Sequence, residues 1–249
     1  MTRLTIAGSF SYPIWSPDGQ YIVFTSLTEG MFWTRADGGG QPQSIAQGKA
    51  TQIPWSFSPD GKRLAYQVYS ASGLRRTQIW TLPIDQRGGQ LQVGKPELFP
   101  LTQVFPLGPV FSPDGRWLAY EAGEPGSREV YVRAFPPPAS GQGGQWQISN
   151  SGGQLPVWSR DGHELLYQSG DRIMAVSYTV KGDVFVPDKP RLWVSGLGGL
   201  TSFDLAPDGK RLAVLAPVVT AEAPKADHEV GLLLNFFDEV RRRVPVGQR

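Results

Sequence analysis

The chain has 249 residues, 40% of them hydrophobic, with eight tryptophans: ample material for a core, at a length usual for one all-β domain. A formal charge of +2 excludes the basicity of a polyanion binder and implies no acid-rich partner. The lack of cysteine excludes disulfides and thiolate chemistry and leaves the redox compartment open. Thirty glycines and 22 prolines point to many turns, yet together stay below the ~25–30% that marks low complexity.

In chain order, the predicted elements are short strands joined in pairs by one recurring turn. Residues 2–5 read as a strand with no partner ahead of it, and its Leu4-Thr5 ending matches Leu101-Thr102. The first unit spans residues 10–46, with strands 12–15, 21–26, 31–35 and 42–46. The second (53–101) has strands 53–57, 63–69, 77–84 and 97–101, with a loop from Gln86 to Lys95. The third (107–149) has strands 107–111, 117–122, 129–135 and 145–149, with Pro136 to Gly144 as a surface connection. The fourth (154–194) has strands 155–158, 164–168, 172–178 and 190–194. The fifth (200–234) has strands 201–205 and 211–216, then a polar stretch and a third strand at 228–234. Residues 235–244 look helical: Asn235 is an N-cap, and Arg241 to Arg243 complement the dipole at the C-terminal end.

The turn that joins the first two strands of every unit organises the chain. It is Trp15-Ser16-Pro17-Asp18-Gly19, Phe57-Ser58-Pro59-Asp60-Gly61, Phe111-Ser112-Pro113-Asp114-Gly115, Trp158-Ser159-Arg160-Asp161-Gly162 and Leu205-Ala206-Pro207-Asp208-Gly209. Proline presets φ, aspartate bonds its own turn backbone, and glycine lets the chain leave without a Cβ clash. From Ser16 to Ala206 the steps are 42, 54, 47 and 47 residues. Paired strands at that period predict an all-β β-propeller of about five four-stranded blades with a short C-terminal helix. Strand 2–5 is expected to close the ring as the missing outer strand of the fifth blade. Lost preceding blades are the alternative.

The columns across the repeats predict the packing. Ile22, Leu64, Leu118, Leu165 and Leu212, with Phe24, Tyr66, Tyr120, Tyr167 and Val214 two residues on, should face one neighbouring blade. The large side chain before each turn (Trp15, Phe57, Phe111, Trp158, Leu205) is explained the same way.

Ser-Pro-Asp-Gly turns with flanks such as Trp55-Ser56-Phe57-Ser58-Pro59-Asp60-Gly61-Lys62-Arg63-Leu64-Ala65-Tyr66 resemble the WD40-like propeller repeat of TolB. They are also similar to the N-terminal propellers of dipeptidyl-peptidase and prolyl-oligopeptidase enzymes, over nearly the whole chain. The stretch from Leu232 to Pro245 is similar to the ending of propellers that follow a membrane span in certain bacterial serine/threonine kinases. These resemblances imply a non-catalytic role in protein interaction or sensing, outside the cytoplasm if the chain belongs to a membrane kinase or a TolB-like system. They name no partner.

Chemistry is sparse. There is no Gly-x-Ser-x-Gly elbow and no kinase Gly-rich loop, His-Arg-Asp or Asp-Phe-Gly. His163 follows a turn glycine and His228 lies by the polar stretch, neither beside a matching Ser and Asp. A glycosidase working in the channel is the enzymatic alternative, and it needs two converging carboxylates about 5–9.5 Å apart. If Ile14, Ser56, Val110, Val157 and Asp204 line the channel, they offer one carboxylate. Loop acids such as Glu121 or Asp171 would have to supply the other.

The turn aspartates give one oxygen-bearing side chain per turn, short of a calcium loop. Arg241 to Arg243 is too small a cluster to bind acidic lipid or nucleic acid. No apolar run follows Met1, so no signal peptide is expected. The longest apolar stretch, Val230 to Leu234 with Phe236 and Phe237 beyond, is too short to span a bilayer. No catalytic, cofactor or metal residue is assigned. The expected partner is a protein or small ligand at a rim or the channel, with the loops Gln86 to Lys95 and Pro136 to Gly144 as contact surface.

Overall fold

The computed structural model describes residues 10–46, 50–69, 77–87, 90–138 and 144–216. The expected strands 2–5 and 228–234, helix 235–244, His228 and Arg241 to Arg243 lie outside these. Every described strand pairing is antiparallel, and the sheets follow chain order.

Blade one contains β1 (Phe10–Trp15), β2 (Tyr21–Ser26), β3 (Gly30–Arg35) and β4 (Gln43–Ala46). Blade two contains β5 (Gln52–Phe57), β6 (Arg63–Tyr69), β7 (Thr77–Arg87), β8 (Gln90–Val93) and β9 (Glu97–Leu98). Blade three contains β10 (Leu107–Phe111), β11 (Trp117–Ala122), β12 (Glu129–Ala134) and β13 (Gln145–Gln147). Blade four contains β14 (Gln154–Trp158), β15 (Glu164–Ser169), β16 (Arg172–Lys181), β17 (Val184–Pro187) and β18 (Arg191–Val194). Blade five is described for β19 (Ser202–Leu205) and β20 (Leu212–Leu215).

The recurring turn sets one register in all five blades: Trp15↔Ile22, Phe57↔Leu64, Phe111↔Leu118, Trp158↔Leu165 and Leu205↔Leu212. In blade three, Gly115 N donates to Ser112 O at 2.9 Å. The Ser112 hydroxyl donates to Asp114 Oδ1 at 2.6 Å and accepts Trp117 N–H at 3.0 Å, and Asp114 Oδ1 also accepts Arg116 N–H at 3.1 Å. The serine therefore ties the turn to the second strand. Blade five carries Ala206 instead, and Asp208 accepts Lys210 N–H and Arg211 Nε–H.

Each turn glycine has φ between 66° and 70°. At Gly115 a Cβ would also lie 3.4 Å from Pro59 of the preceding turn. Gly115→Ala is expected to cost about 1–2 kcal/mol from the left-handed backbone alone. A urea midpoint within error of the parent would refute this.

The blades bury their faces against one another in sequence. Leu64 and Tyr66 pack on Tyr21, Val23 and Trp33 of blade one. Leu118 and Tyr120 pack on Ala65 and Ile79 of blade two. Leu165 and Tyr167 pack on Trp117, Ala119 and Val132 of blade three, and Leu212 with Val214 packs on Leu166 and Ala175 of blade four. The predicted columns thus face the preceding blade.

The residue before the turn follows the same rule except in blade one. Phe111, Trp158 and Leu205 are buried, whereas Trp15 is 60% exposed. The expectation that Trp15 packs between blades is corrected here: among the described residues it joins none of the buried seam clusters.

Two further corrections concern blades two and four. The expected loop Gln86 to Lys95 is largely strand: β7 runs on past the sheet to Arg87 and turns back into β8. Blade four does the same, β16 continuing to Lys181 and pairing with β17. The outer strands Glu97–Leu98 and Arg191–Val194 are each paired to the sheet end of the long strand.

Both hairpins fold over the seam with the preceding blade. Ile84 and Leu91 join the seam of blades one and two. Phe185, fully buried, enters an aromatic cluster of Trp117, Trp146, Trp158 and Tyr178 at the seam of blades three and four.

Candidate binding surface

The inner strands carry a repeated irregularity. Tyr12 (φ 55°), Gly108 (φ 61°) and Leu155 (φ 51°) adopt left-handed backbone immediately before Pro13, Pro109 and Pro156, and at each the register to the second strand shifts. Blade two shifts between Pro54 and Ser56. A bulge of this kind leaves ladder groups without partners.

The preceding blade supplies some of those partners. Gln67 Oε1 accepts Gly108 N–H at 3.4 Å, and Glu121 Oε2 accepts Leu155 N–H at 3.1 Å. Thr25 Oγ1 donates to Gln52 O at 2.7 Å, and Gln168 Nε2 donates to Leu200 O at 3.4 Å. Thr25, Gln67, Glu121 and Gln168 occupy one register position, directly after the aromatic column. Sequence reasoning overlooked it, although a polar residue recurring there inside apolar strands was a readable signal.

The acidic candidates fall into structural roles. Glu121 is buried; one oxygen takes Leu155 N–H and the other faces Arg128 Nη1 at 3.3 Å. Burial pushes its carboxyl above the usual range, opposed by those two partners. Asp171 pairs with Arg172 at 3.7 Å.

Of the column Ile14, Ser56, Val110, Val157 and Asp204, only Asp204 is exposed. Ile14, Val110 and Val157 pack into the following seams, and Ser56 Oγ donates to Pro109 O and accepts Phe111 N–H of blade three. Asp204 Oδ1 accepts the N–H of Leu205. His163 sits in its turn, its N–H given to Ser159 Oγ and Asp161 Oδ1.

The turn aspartates accept bonds within their own turns. The Ser58 hydroxyl holds Asp60 below the usual carboxylate range, Ser159 does so for Asp161, and the N–H of Lys210 does so for Asp208. Among the described residues no three His, Asp or Glu side chains converge as a metal site.

One concavity lies on the rim that carries the turns. It is an open groove of about 1240 Å³ between the two hairpin-covered seams, over blades one to three. Its floor is made by the turns at Pro17, Pro59 and Gly115. Its sides are Lys62, Arg63, Pro83 to Asp85 at the base of the blade-two hairpin, and Phe135-Pro136. Arg63 is fixed there: its guanidinium bonds Glu97 at 2.6 Å and Thr81 at 3.0 Å and lies 5.7 Å from the Phe135 ring centre. The two irregular segments singled out from the sequence thus begin on either side of one groove.

No protein-family model and no curated protein matches the chain. Solved structures do. TolB from Acinetobacter baumannii matches at 17% identity with a TM-score of 0.54, over 84% of this chain and 52% of that one. The Cps50 (Swd1) β-propeller domain of Myceliophteria thermophila matches at 13% identity and TM-score 0.54, over 85% and 63%. A puromycin-hydrolyzing peptidase of Mycobacterium tuberculosis matches at 15% identity and TM-score 0.58, over 90% and 41%. The chain therefore spans about half the length of the TolB chain it matches. At these identities the likeness shows the fold, a β-propeller of the TolB and WD40 type.

Proposed function

We propose that this chain is a non-catalytic protein-binding module that engages its partner through the groove on its turn-bearing rim. The observation that carries the reading is the convergence of Pro83 to Asp85 and Phe135-Pro136 on that groove. Its volume exceeds the roughly 300–1,000 Å³ of small-molecule sites, and its walls mix prolines and an aromatic ring with charges, as suits a segment of another chain. Acid–base chemistry is not favoured there. Asp60 is held below its usual range, while Glu121, the carboxyl raised by burial, spends its oxygens on Leu155 and Arg128.

Because the chain has no cysteine, Lys62→Cys gives a unique attachment point for a polyethylene glycol chain that would obstruct the groove. The full chain, so modified, is expected to lose a partner captured saturably from its source extract. The same modification at Arg172→Cys, away from the groove, is expected to leave capture intact. Equal capture by both, or no saturable partner, overturns the reading.

The finer reading is the sensor region of a bacterial receptor-like serine/threonine kinase, with a TolB-like scaffold as the other possibility. It rests on the resemblance of Leu232 to Pro245. Sequencing the source DNA upstream of the Met1 codon decides between them. An in-frame kinase and membrane span supports the sensor, and a stop codon directly before Met1 removes it.

A further inference from the structure

A second concavity, of about 560 Å³, lies beside the connection from blade two to blade three, on the rim opposite the recurring turns. Its walls are Ile79 of β7, Leu98 of β9, and Phe99, Leu101, Val104 and Phe105 of the connection. Leu98 and Val104 are 48% and 57% exposed, although the connection is pinned. Val104 O accepts Gly123 N–H at 2.9 Å, and Gln103 Oε1 accepts the Tyr120 hydroxyl at 3.0 Å. Phe105 holds left-handed backbone (φ 50°) before Pro106, outside the repeated bulge of the inner strands. Such backbone in a bulky residue persists only where its surroundings fix it, and it clusters at functional sites. The repeat calls for none of this. The matching connections are Asn150-Ser151-Gly152-Gly153 after blade three and Ser195-Gly196-Leu197-Gly198-Gly199 after blade four.

We propose that this pocket binds a neutral, largely apolar small molecule that carries a hydrogen-bond acceptor such as a ketone or ester carbonyl. Its volume falls within the roughly 300–1,000 Å³ of small-molecule sites, whose usual form is apolar walls with a few placed polar groups. Among the described residues no charged side chain lines it, so an ionic ligand would lose its hydration there without a counter-charge. Two donors in the lining are unspent. The Tyr120 bond takes the oxygen of the Gln103 amide and leaves its Nε2 donors for an occupant. Thr77, 9% exposed, has a hydroxyl with no partner. Both can donate to a carbonyl, and both favour an acceptor over a plain hydrocarbon of the same shape. The inference is independent of the turn-rim groove and of what binds there.

The test titrates the full chain with 4-fluorobenzophenone and with the matching alkene, in which a methylene group replaces the carbonyl oxygen, each followed by its fluorine NMR signal. The parent is expected to bind the ketone saturably, and about fivefold more tightly than the alkene. That preference should fall in Gln103→Met and vanish in Gln103→Met/Thr77→Val, both of which keep the apolar walls. Val104→Asp, at an exposed position, should fold as the parent does and weaken both probes by about tenfold or more. Polyethylene glycol on Lys62→Cys should alter neither affinity.

Absence of saturable ketone binding overturns the proposal, as does a preference unchanged in the double variant or an affinity unchanged in Val104→Asp. A partner protein lost in Val104→Asp, while neither probe binds the parent, would assign the pocket to a protein contact and overturn it equally.

Discussion

Truncating Phe185 to alanine is expected to lower stability by about 3–5 kcal/mol. Its ring is 1% exposed and lies 4.6 Å from that of Tyr178, 5.3 Å from Trp117 and 5.7 Å from Trp146, centre to centre. Removing it opens a void between rigid rings that cannot collapse to fill it, so transfer and cavity costs add. The neighbouring Val184 is about half exposed, and Val184→Ala should stay within about 0.5 kcal/mol. Guanidinium denaturation of both variants checks the pair. A loss below about 1 kcal/mol for Phe185→Ala would mean that the β16–β17 hairpin does not seal the seam in solution.

The second large effect is at Glu121. Glu121→Ala leaves Leu155 N–H without its acceptor and Arg128 without its counter-ion at a buried seam, and about 3–5 kcal/mol should be lost. Glu121→Gln keeps an acceptor oxygen and should lose much less, and it isolates the charge.

Because burial raises the folded-state pKa, the folded protein holds the Glu121 proton more tightly than the unfolded chain does. The stability this contributes is fully present below the unfolded value of about 4.3 and is lost as pH rises through the folded one. The stability difference between parent and Glu121→Gln should therefore shift against the parent as pH increases across that window. The turn carboxylates Asp60, Asp161 and Asp208 are depressed and contribute in the opposite sense, but they are common to both proteins and cancel. A difference that stays flat with pH would show that Glu121 titrates as an ordinary exposed carboxyl.

Much of the architecture was legible because it repeats. A turn occurring five times locks a register, and the register determines that Leu64 and Tyr66, and their equivalents through blade five, face backwards onto the preceding blade. What escaped was what happens once or twice. The hairpins of blades two and four arise from third strands that outrun their sheets, and Gln86 to Lys95 carries polar residues that read as loop although its backbone pairs. The bulges escaped because a residue preceding proline normally avoids left-handed backbone, so Tyr12 and Leu155 contradict the local rule. They hold that backbone in inner strands that neighbouring elements constrain. The groove could be anticipated only as two unusual connections, since their meeting depends on blade geometry and not on the spacing of residues. The column read as a possible channel lining escaped because Ile14, Val110 and Val157 turn into the seams with the following blades.

The side chains that cross the seams have an evolutionary consequence. Gln67, Glu121, Thr25 and Gln168 each reach backbone atoms of the blade or connection that follows, not its side chains. A joint that reads only the main chain places no demand on the identity of the residue across it. A coding segment for one blade can therefore be duplicated, exchanged or allowed to drift without a compensating change in its neighbour at that contact. Ancestral copies could diverge as far as Thr25, Gln67, Glu121 and Gln168 have while the assembly kept its pitch.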